Sequence, residues 1–331
     1  MLRILPSALL AASLVPGCIS YEHAIDEPEP HGADADADTD TDSDTDTDTD
    51  SDSDTETGSE TGQCAAVDIL FVVPSGAFPA LDEMRANLSA ALPDFVDALW
   101  ERLPPGTSVH TGFTTGDFSD QPICDAFYEN CVPTTETEAM IPDHYTTPDV
   151  LQTAKNGGQG RLLVHDEMAY FDALTSSGTD AAALAIWLTG AVDALGSDGC
   201  SYVMYAAAAG WIGDVANSAT NAGFLRDAGA VLLIVFVATF PDLSPGPVED
   251  YKAMVASAKP GCGVDECTVA AGLYSYYCDT GDSPWSPALF LDLFGETPLV
   301  GYVEYPADYP LVLGGDLAEI VAQTCDEIGP A

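Results

Sequence analysis

The chain has 331 residues, of which 54 are Asp or Glu and only 8 are Lys or Arg, and its formal net charge is −46. Contacts to nucleic-acid phosphates need clustered Lys and Arg, so this balance excludes a nucleic-acid binder and equally a polybasic membrane-surface protein. Because 47% of the residues are hydrophobic, the chain as a whole is not intrinsically disordered either.

The first segment predicts export and a lipid anchor. Residues 4–15 form an apolar stretch of 12 residues, which is shorter than the roughly 20 residues of a transmembrane helix and fits a secretory signal peptide. The residues Val15–Pro16–Gly17–Cys18 resemble the lipobox of bacterial lipoproteins. This resemblance implies a signal peptide over 1–17, lipidation of Cys18 and, because Ile19 rather than Asp follows, an outer-membrane location. An ordinary signal peptide with an incidental cysteine is the alternative.

An acidic tract follows and predicts a disordered linker over 18–63. Asp alternates with Ala, Thr or Ser from Ala33 to Glu56, and residues 21–63 hold 17 acids and no Lys or Arg. Neither side of this alternation is apolar, and the repelling charges favour an extended, solvated chain. Calcium binding is the alternative, but the tract lacks the turn glycine and terminal glutamate of a calcium loop. We therefore interpret the tract as a charged spacer.

Apolar runs alternate with helical patterns from Cys64 onward and predict one domain over 64–331. Val67–Val73 and Ala230–Ala238 are continuous apolar runs, typical of strands covered on both faces. Further predicted elements are strands at 108–115, 267–276 and 299–304, helices at 79–103, 180–195, 201–212, 247–258 and 314–327, and an irregular stretch over 118–160. Strands separated by helices predict an α/β fold with a Rossmann-like, mainly parallel sheet and helices on both faces.

The cysteines agree with an oxidising compartment. Once Cys18 is lipidated, eight of the nine remain, and an even number in an exported chain predicts up to four disulfide bonds. The candidates are Cys64, Cys124, Cys131, Cys200, Cys262, Cys267, Cys278 and Cys325. Eight cysteines allow 105 pairings, so the sequence leaves the connectivity open. Zinc binding is the alternative, but no CxxC or HxxxH spacing occurs.

Several short motifs occur in a distinctive order. They are the run Val67–Val73 with the Ser–Gly turn after it, Leu92–Phe95, Gly112–Asp117, Gly196–Cys200 and Phe224–Arg226. In this order they resemble a von Willebrand factor A domain, in particular those on lipoproteins of myxobacteria and related deltaproteobacteria. The resemblance covers most of Cys64–Glu327.

Function in that family usually rests on a metal-ion-dependent adhesion site, with Asp-x-Ser-x-Ser after the first strand and an Asp after the central strand. Here Pro74 stands in place of the first Asp, Ser75 is the one hydroxyl retained, and Thr239 occupies the position of the second Asp. A hard divalent cation needs several oxygen ligands, normally with a carboxylate among them. The resemblance therefore implies a degenerate site that holds no metal, and we expect no cofactor.

Catalytic motifs are not apparent in the sequence. No GxSxG, HExxH or phosphate loop occurs, and we interpret His165–Asp166–Glu167 as a surface cluster. We expect a noncatalytic cell-envelope lipoprotein with a binding, adhesion or structural role, displayed on an acidic stalk. Its expected partners are the membrane, through the lipid, and an unknown protein or envelope ligand at the carboxyl ends of the strands. The alternatives are an envelope hydrolase with an unrecognised site and a pure spacer.

Overall fold

The computed structural model describes residues 65–74, 79–118, 158–195, 202–226, 229–238, 242–244, 246–261, 267–274, 299–303 and 306–328. All of them belong to the second of the two units into which the chain divides, Glu56–Ala331. The predicted signal peptide, Cys18 and the acidic linker lie outside the described residues, and so does most of the stretch predicted to be irregular. Among the helices that are described, none combines the length and apolarity that a bilayer crossing requires.

Six strands form the main sheet: β1 (Ala66–Val73), β2 (Ser108–Thr115), β4 (Phe171–Leu174), β6 (Ala230–Ala238), β7 (Thr268–Tyr274) and β8 (Leu299–Tyr302). Their order across the sheet is β4-β2-β1-β6-β7-β8. Neighbours are parallel throughout, except that β4 runs antiparallel to β2 at one edge. Two short strands, β3 (Asp117–Phe118) and β5 (Tyr202–Val203), form a separate antiparallel pair.

The centre of the sheet is formed by β1 and β6. They pair in parallel register from Ala66 opposite Ala230 to Val72 opposite Phe236. Every residue of both strands is buried, as their continuous apolar runs predict for strands with no solvent-facing side. The strand order reverses between them, because β2 lies beyond β1 and β7 lies beyond β6. Open α/β sheets place their ligands at such a switch point, outside the carboxyl ends of the strands.

Helices cover both faces of this sheet: α1 (Pro79–Arg102), α2 (Gly178–Ala194), α3 (Tyr205–Gly210), α4 (Val248–Ala258), the single turn α5 (Asp308–Pro310), a π-helix (Leu311–Leu317) and α6 (Ala318–Ile328). α1 packs against α2 and α6, whereas α3 packs against α4. On one face Phe71 contacts Phe95 of α1. Asp68, three residues earlier and so on the other face, contacts Lys259 just beyond α4. The predicted α/β fold class is confirmed.

Several predicted boundaries were wrong. The helix predicted at 201–212 is the six-residue α3 followed by a 3-10 turn, Trp211–Gly213, and the last helix, predicted to begin at 314, begins earlier, as the π-helix that leads into α6. The described part of the strand predicted at 267–276 is Thr268–Tyr274, and the strand predicted at 299–304 ends at Tyr302. Strand β4 was not predicted at all, because four residues are too short to show an alternation. Its pairing with β2 makes it a strand.

Candidate functional site

The carboxyl ends of β1 and β6 are where the degenerate metal site was predicted. Pro74 lies directly after β1 and is buried. Ser75 and Thr239 fall outside the described residues. The structure therefore places one of the three predicted positions, and that position offers a backbone carbonyl rather than a carboxylate.

A positive charge lies next to Pro74. The side chain of Arg85, in the second turn of α1, is only 9% exposed and is paired with Asp82. Its Nη1 donates to the carbonyl oxygen of Pro74 at 3.4 Å. The carbonyl of Pro74 is thus occupied by a guanidinium, a group that donates hydrogen bonds and cannot ligate a cation. Sequence reasoning missed Arg85, whose only local signal was its spacing of three residues from Asp82.

Asp242 is a described carboxylate that follows β6 closely, and it is directed at a helix. It is 7% exposed. Its Oδ1 accepts from the hydroxyl of Ser244 at 2.8 Å and from the backbone N–H of Ala206 at 3.3 Å. Ser244 Oγ in turn accepts from the backbone N–H of Ala207 at 2.9 Å. Asp242 and Ser244 thus cap α3, whose first N–H groups have no partners within the helix.

Burial controls the protonation of this cap. Removal from water raises the pKa of Asp242 from 3.8 to about 6, against the opposing effect of the hydrogen bonds from Ser244 and from the backbone of α3. The same negative charge contributes to the raised pKa of Tyr251, for which burial is the larger cause. The carboxylate of Asp242 is therefore held by hydrogen-bond donors of the protein itself. None of its described partners is a cation.

The amino ends of the same strands carry a different arrangement, centred on Asp68. Asp68 is fully buried in β1. Arg226 donates to it from Nε at 2.7 Å and from the backbone N–H at 2.9 Å. The Arg226 guanidinium also donates to Val67 O, Ser108 O and Ser108 Oγ. The Phe224–Arg226 motif therefore ties β6 to β1 and β2.

Lys259 completes this cluster. Its side chain is 1% exposed, and its Nζ donates to Asp68 Oδ2 at 3.3 Å and to the carbonyl oxygen of Ala230 at 2.9 Å. His110 lies 3.7 Å from Asp68 through Nδ1, which also contacts Phe224 O at 2.9 Å. The cluster surrounds the carboxylate of Asp68 with hydrogen-bond donors from Arg226 and Lys259. We refer to Asp68, Arg226 and Lys259 as the amino-end cluster.

The surface cluster His165–Asp166–Glu167 forms the tip of a tight turn. His165 and Met168 exchange both backbone hydrogen bonds at 2.9 Å, so Asp166 and Glu167 are the two turn residues. Both are exposed, and Asp166 Oδ2 lies 3.6 Å from His165 Nε2. Within the ranges that the structure describes, no group of three or more His, Cys, Asp or Glu side chains is arranged to hold a metal ion.

Two of the eight candidate cysteines are described. Cys267 and Cys325 are both buried, and both take part in disulfide bonds. The other six, Cys64, Cys124, Cys131, Cys200, Cys262 and Cys278, lie outside the described residues. The connectivity and the number of disulfides stay predictions.

Similarity to known proteins is confined to solved structures, since no protein-family model and no curated protein matches the sequence. A von Willebrand factor type A structure from Catenulispora acidiphila is 14% identical, with a TM-score of 0.36 over 80% of this chain and 48% of that chain. The pilus adhesin SpaC from Lactobacillus rhamnosus GG, in its open conformation, is 10% identical, with a TM-score of 0.40 over 79% of this chain and 31% of that chain. The chain thus spans less than half the length of these proteins.

Proposed function

We propose that the chain is a noncatalytic lipoprotein of the cell envelope. Its α/β domain, a von Willebrand factor A-like domain with a degenerate metal site, serves in binding, adhesion or structure at the end of an acidic stalk. The lipobox-like segment before Cys18 and the Asp-rich tract support the anchor and the stalk. The motif order and a mainly parallel sheet of order β4-β2-β1-β6-β7-β8 support the domain assignment.

The observation that carries the proposal of a degenerate metal site is the use of Asp242 as a helix cap. The carboxylate is buried and occupied by the Ser244 hydroxyl and the N–H groups of α3. To bind a cation it would have to give up these donors and uncap α3. Arg85 occupies the carbonyl oxygen of Pro74 at the end of β1. Both features oppose a divalent cation at the switch point and favour direct contacts between protein groups and a partner.

Thermal unfolding with and without metal tests this proposal. The full-length Cys18→Ser protein should give superimposable melting curves in magnesium, manganese or calcium and in chelator at matched ionic strength. A ligand at one hundred times its dissociation constant would stabilise the fold by about 2.7 kcal/mol, which melting detects. A saturable stabilisation that Asp242→Ala abolishes, and that exposed Asp172→Ala leaves intact, would contradict the proposal and restore metal-dependent adhesion.

Membrane fractionation tests the anchor separately. Wild-type protein should sediment with outer membranes after a high-salt wash, and Cys18→Ser should move to the soluble fraction, because the lipid is the proposed attachment. Persistent sedimentation of Cys18→Ser would remove the anchor from the proposal while leaving the domain assignment untouched.

A further inference from the structure

Helix α2 presents an uncharged outer face, which is unusual in so acidic a chain. The 12 residues from Ala181 to Val192 contain no Asp, Glu, Lys or Arg. Trp187, Leu188 and other apolar side chains face inward, whereas Ala182, Ala183 and Ile186 are exposed. Ile186 is 75% exposed. An amphipathic surface helix normally places charged or polar residues outward, so the apolar outer face is not explained by folding alone.

The turn at residues 164–168 is held against this helix. Trp187 Nε1 donates to the carbonyl oxygen of His165 at 3.3 Å. The His165 ring lies directly against Gly190 of α2. A Cβ added at Gly190 would lie only 2.6 Å from His165 Nε2, too close for a larger residue. Because Ile186 and Gly190 are one helical turn apart on the same side, the turn lies beside the exposed Ile186. It adds two further apolar side chains, Val164 and Met168, which are 44% and 37% exposed.

The backbone of the turn is held in an uncommon conformation. Asp166 and Glu167 have φ of 47° and 64°, the left-handed region that two-residue hairpin turns require and that normally selects Asn, Asp or Gly. Asp is among the residues that adopt this conformation readily, whereas Glu is uncommon there. Their effect is to project two carboxylates from a rigid point beside the apolar face.

Within residues 164–194, the segment that forms the apolar face and its surroundings, the charged residues have one sign. Residues 164–194 contain five acids, Asp166, Glu167, Asp172, Asp180 and Asp193, and no Lys or Arg. The side chains of Asp166 and Asp172 are 76% and 65% exposed. An apolar centre with a charged rim is the arrangement of a protein interface, and complementary charges across the rim set partner choice. The rim therefore selects a cationic partner.

We propose that Val164, Met168 and Ile186, together with the carboxylates of Asp166 and Glu167, dock a protein segment that carries an apolar stripe flanked by Lys or Arg. We call these five residues the α2 surface. It is separate from the carboxyl ends of β1 and β6, and it does not depend on the function proposed above. A second copy of this chain fits poorly, because two acidic rims would face each other.

Peptide binding to the full-length Cys18→Ser protein tests this proposal. The probe is a fluorescent amphipathic Leu/Lys helical peptide, and its control is a peptide of the same composition whose order abolishes the apolar stripe. Both peptides meet the same acidic tract, so the difference between them isolates the α2 surface. We expect the amphipathic peptide to bind more tightly, and Ile186→Gln to weaken it on the order of tenfold. Val215→Gln is the matched control, because Val215 is also apolar and 84% exposed.

A second variant tests the rim. Asp166→Asn with Glu167→Gln should weaken the amphipathic peptide severalfold and flatten its salt dependence, while circular dichroism shows an unchanged fold. Equal binding of the two peptides, or an Ile186→Gln effect no larger than that of Val215→Gln, would overturn the proposal. Sedimentation velocity tests whether a second copy of the chain binds this surface instead. If the protein forms a dimer that Ile186→Gln dissociates and Val215→Gln leaves intact, the partner is a second copy and the proposal of a cationic segment is wrong.

Discussion

The two ends of the central strands treat a buried carboxylate in opposite ways. At the amino end, Asp68 is fully buried and receives charged donors from Arg226 and Lys259. At the carboxyl end, Asp242 is nearly as buried but receives only a hydroxyl and backbone N–H groups. Arg226 and Lys259 bring opposite charges to Asp68, whereas the neutral donors of Asp242 do not outweigh its burial, which raises its pKa to about 6. Ion pairs thus hold the amino end together, whereas the charge of Asp242 at the carboxyl end changes with pH.

The largest expected effect comes from breaking the amino-end cluster. Asp68→Asn removes the negative charge between Arg226 and Lys259, and the fully buried Lys259 loses its charged partner. We expect a loss of about 3–5 kcal/mol in the free energy of unfolding, the usual cost of stranding one member of a buried ion pair. Chemical denaturation at pH 7 measures it.

Asp172→Asn is the control for that loss. Its carboxylate is 65% exposed and lies 3.6 Å from His110 Nε2, so its removal should cost less than about 0.5 kcal/mol. The double variant Asp68→Asn/Lys259→Met should recover part of the loss, because it removes the stranded cation as well. Equal stabilities for Asp68→Asn and Asp172→Asn would mean that the amino-end cluster does not hold the strands together.

The next expected effect is a pH dependence of the free energy of unfolding that arises at the carboxyl end. The pKa of Asp242 in the folded protein, about 6, is above its ordinary value of 3.8. Well below pH 3.8 the group is protonated in both the folded and the unfolded states, and the stability that it contributes is lost as pH rises from about 4 through 6. Since one pKa unit is worth about 1.4 kcal/mol, wild type should lose up to about 3 kcal/mol relative to Asp242→Asn between pH 4 and pH 7.

Denaturation of both proteins across this pH range gives the result directly. The Asn side chain keeps an acceptor for α3 but cannot ionise, so the other titrating groups cancel in the comparison. Parallel pH profiles for wild type and Asp242→Asn would show that the buried carboxylate does not set the pH response of the carboxyl end.

The smallest expected effect concerns the hydroxyl that supports the cap. Ser244→Ala removes the donor to Asp242 and the acceptor for the N–H of Ala207. We expect a cost of about 1–2 kcal/mol at pH 7.5 and a smaller one at pH 5, because the bond to an ionised carboxylate is the stronger. Ser257→Ala, whose exposed hydroxyl bonds within its own helix, should be nearly neutral. A Ser244→Ala cost that does not depend on pH would contradict the assigned role.

The sequence predicted the elements of the fold better than the elements of the site. Continuous apolar runs at β1 and β6 and the three- and four-residue spacing in α1 report burial directly, and those elements were predicted within one or two residues. The short β4 and the six-residue α3 were predicted poorly, because so few residues carry no periodicity. Arg85 and Ser244 were missed, because the groups that give them their roles, the carbonyl of Pro74 and the N–H of Ala207, lie 11 and 37 residues away in the chain.

What the sequence determined by itself is local: the apolar periods that place strands and helices, the charge excess, the segment before Cys18 and the acidic tract. The tertiary structure decided which groups each buried charge contacts. Asp68 is 158 residues from Arg226 and 191 from Lys259, and Asp242 is 36 residues from the helix end that it caps. A period in the sequence reports which side of an element is buried, but not which distant group will meet it there. Only the folded sheet brings Asp68, Arg226 and Lys259 together at its amino end. At its carboxyl end, the described partners of Asp242 are all neutral groups.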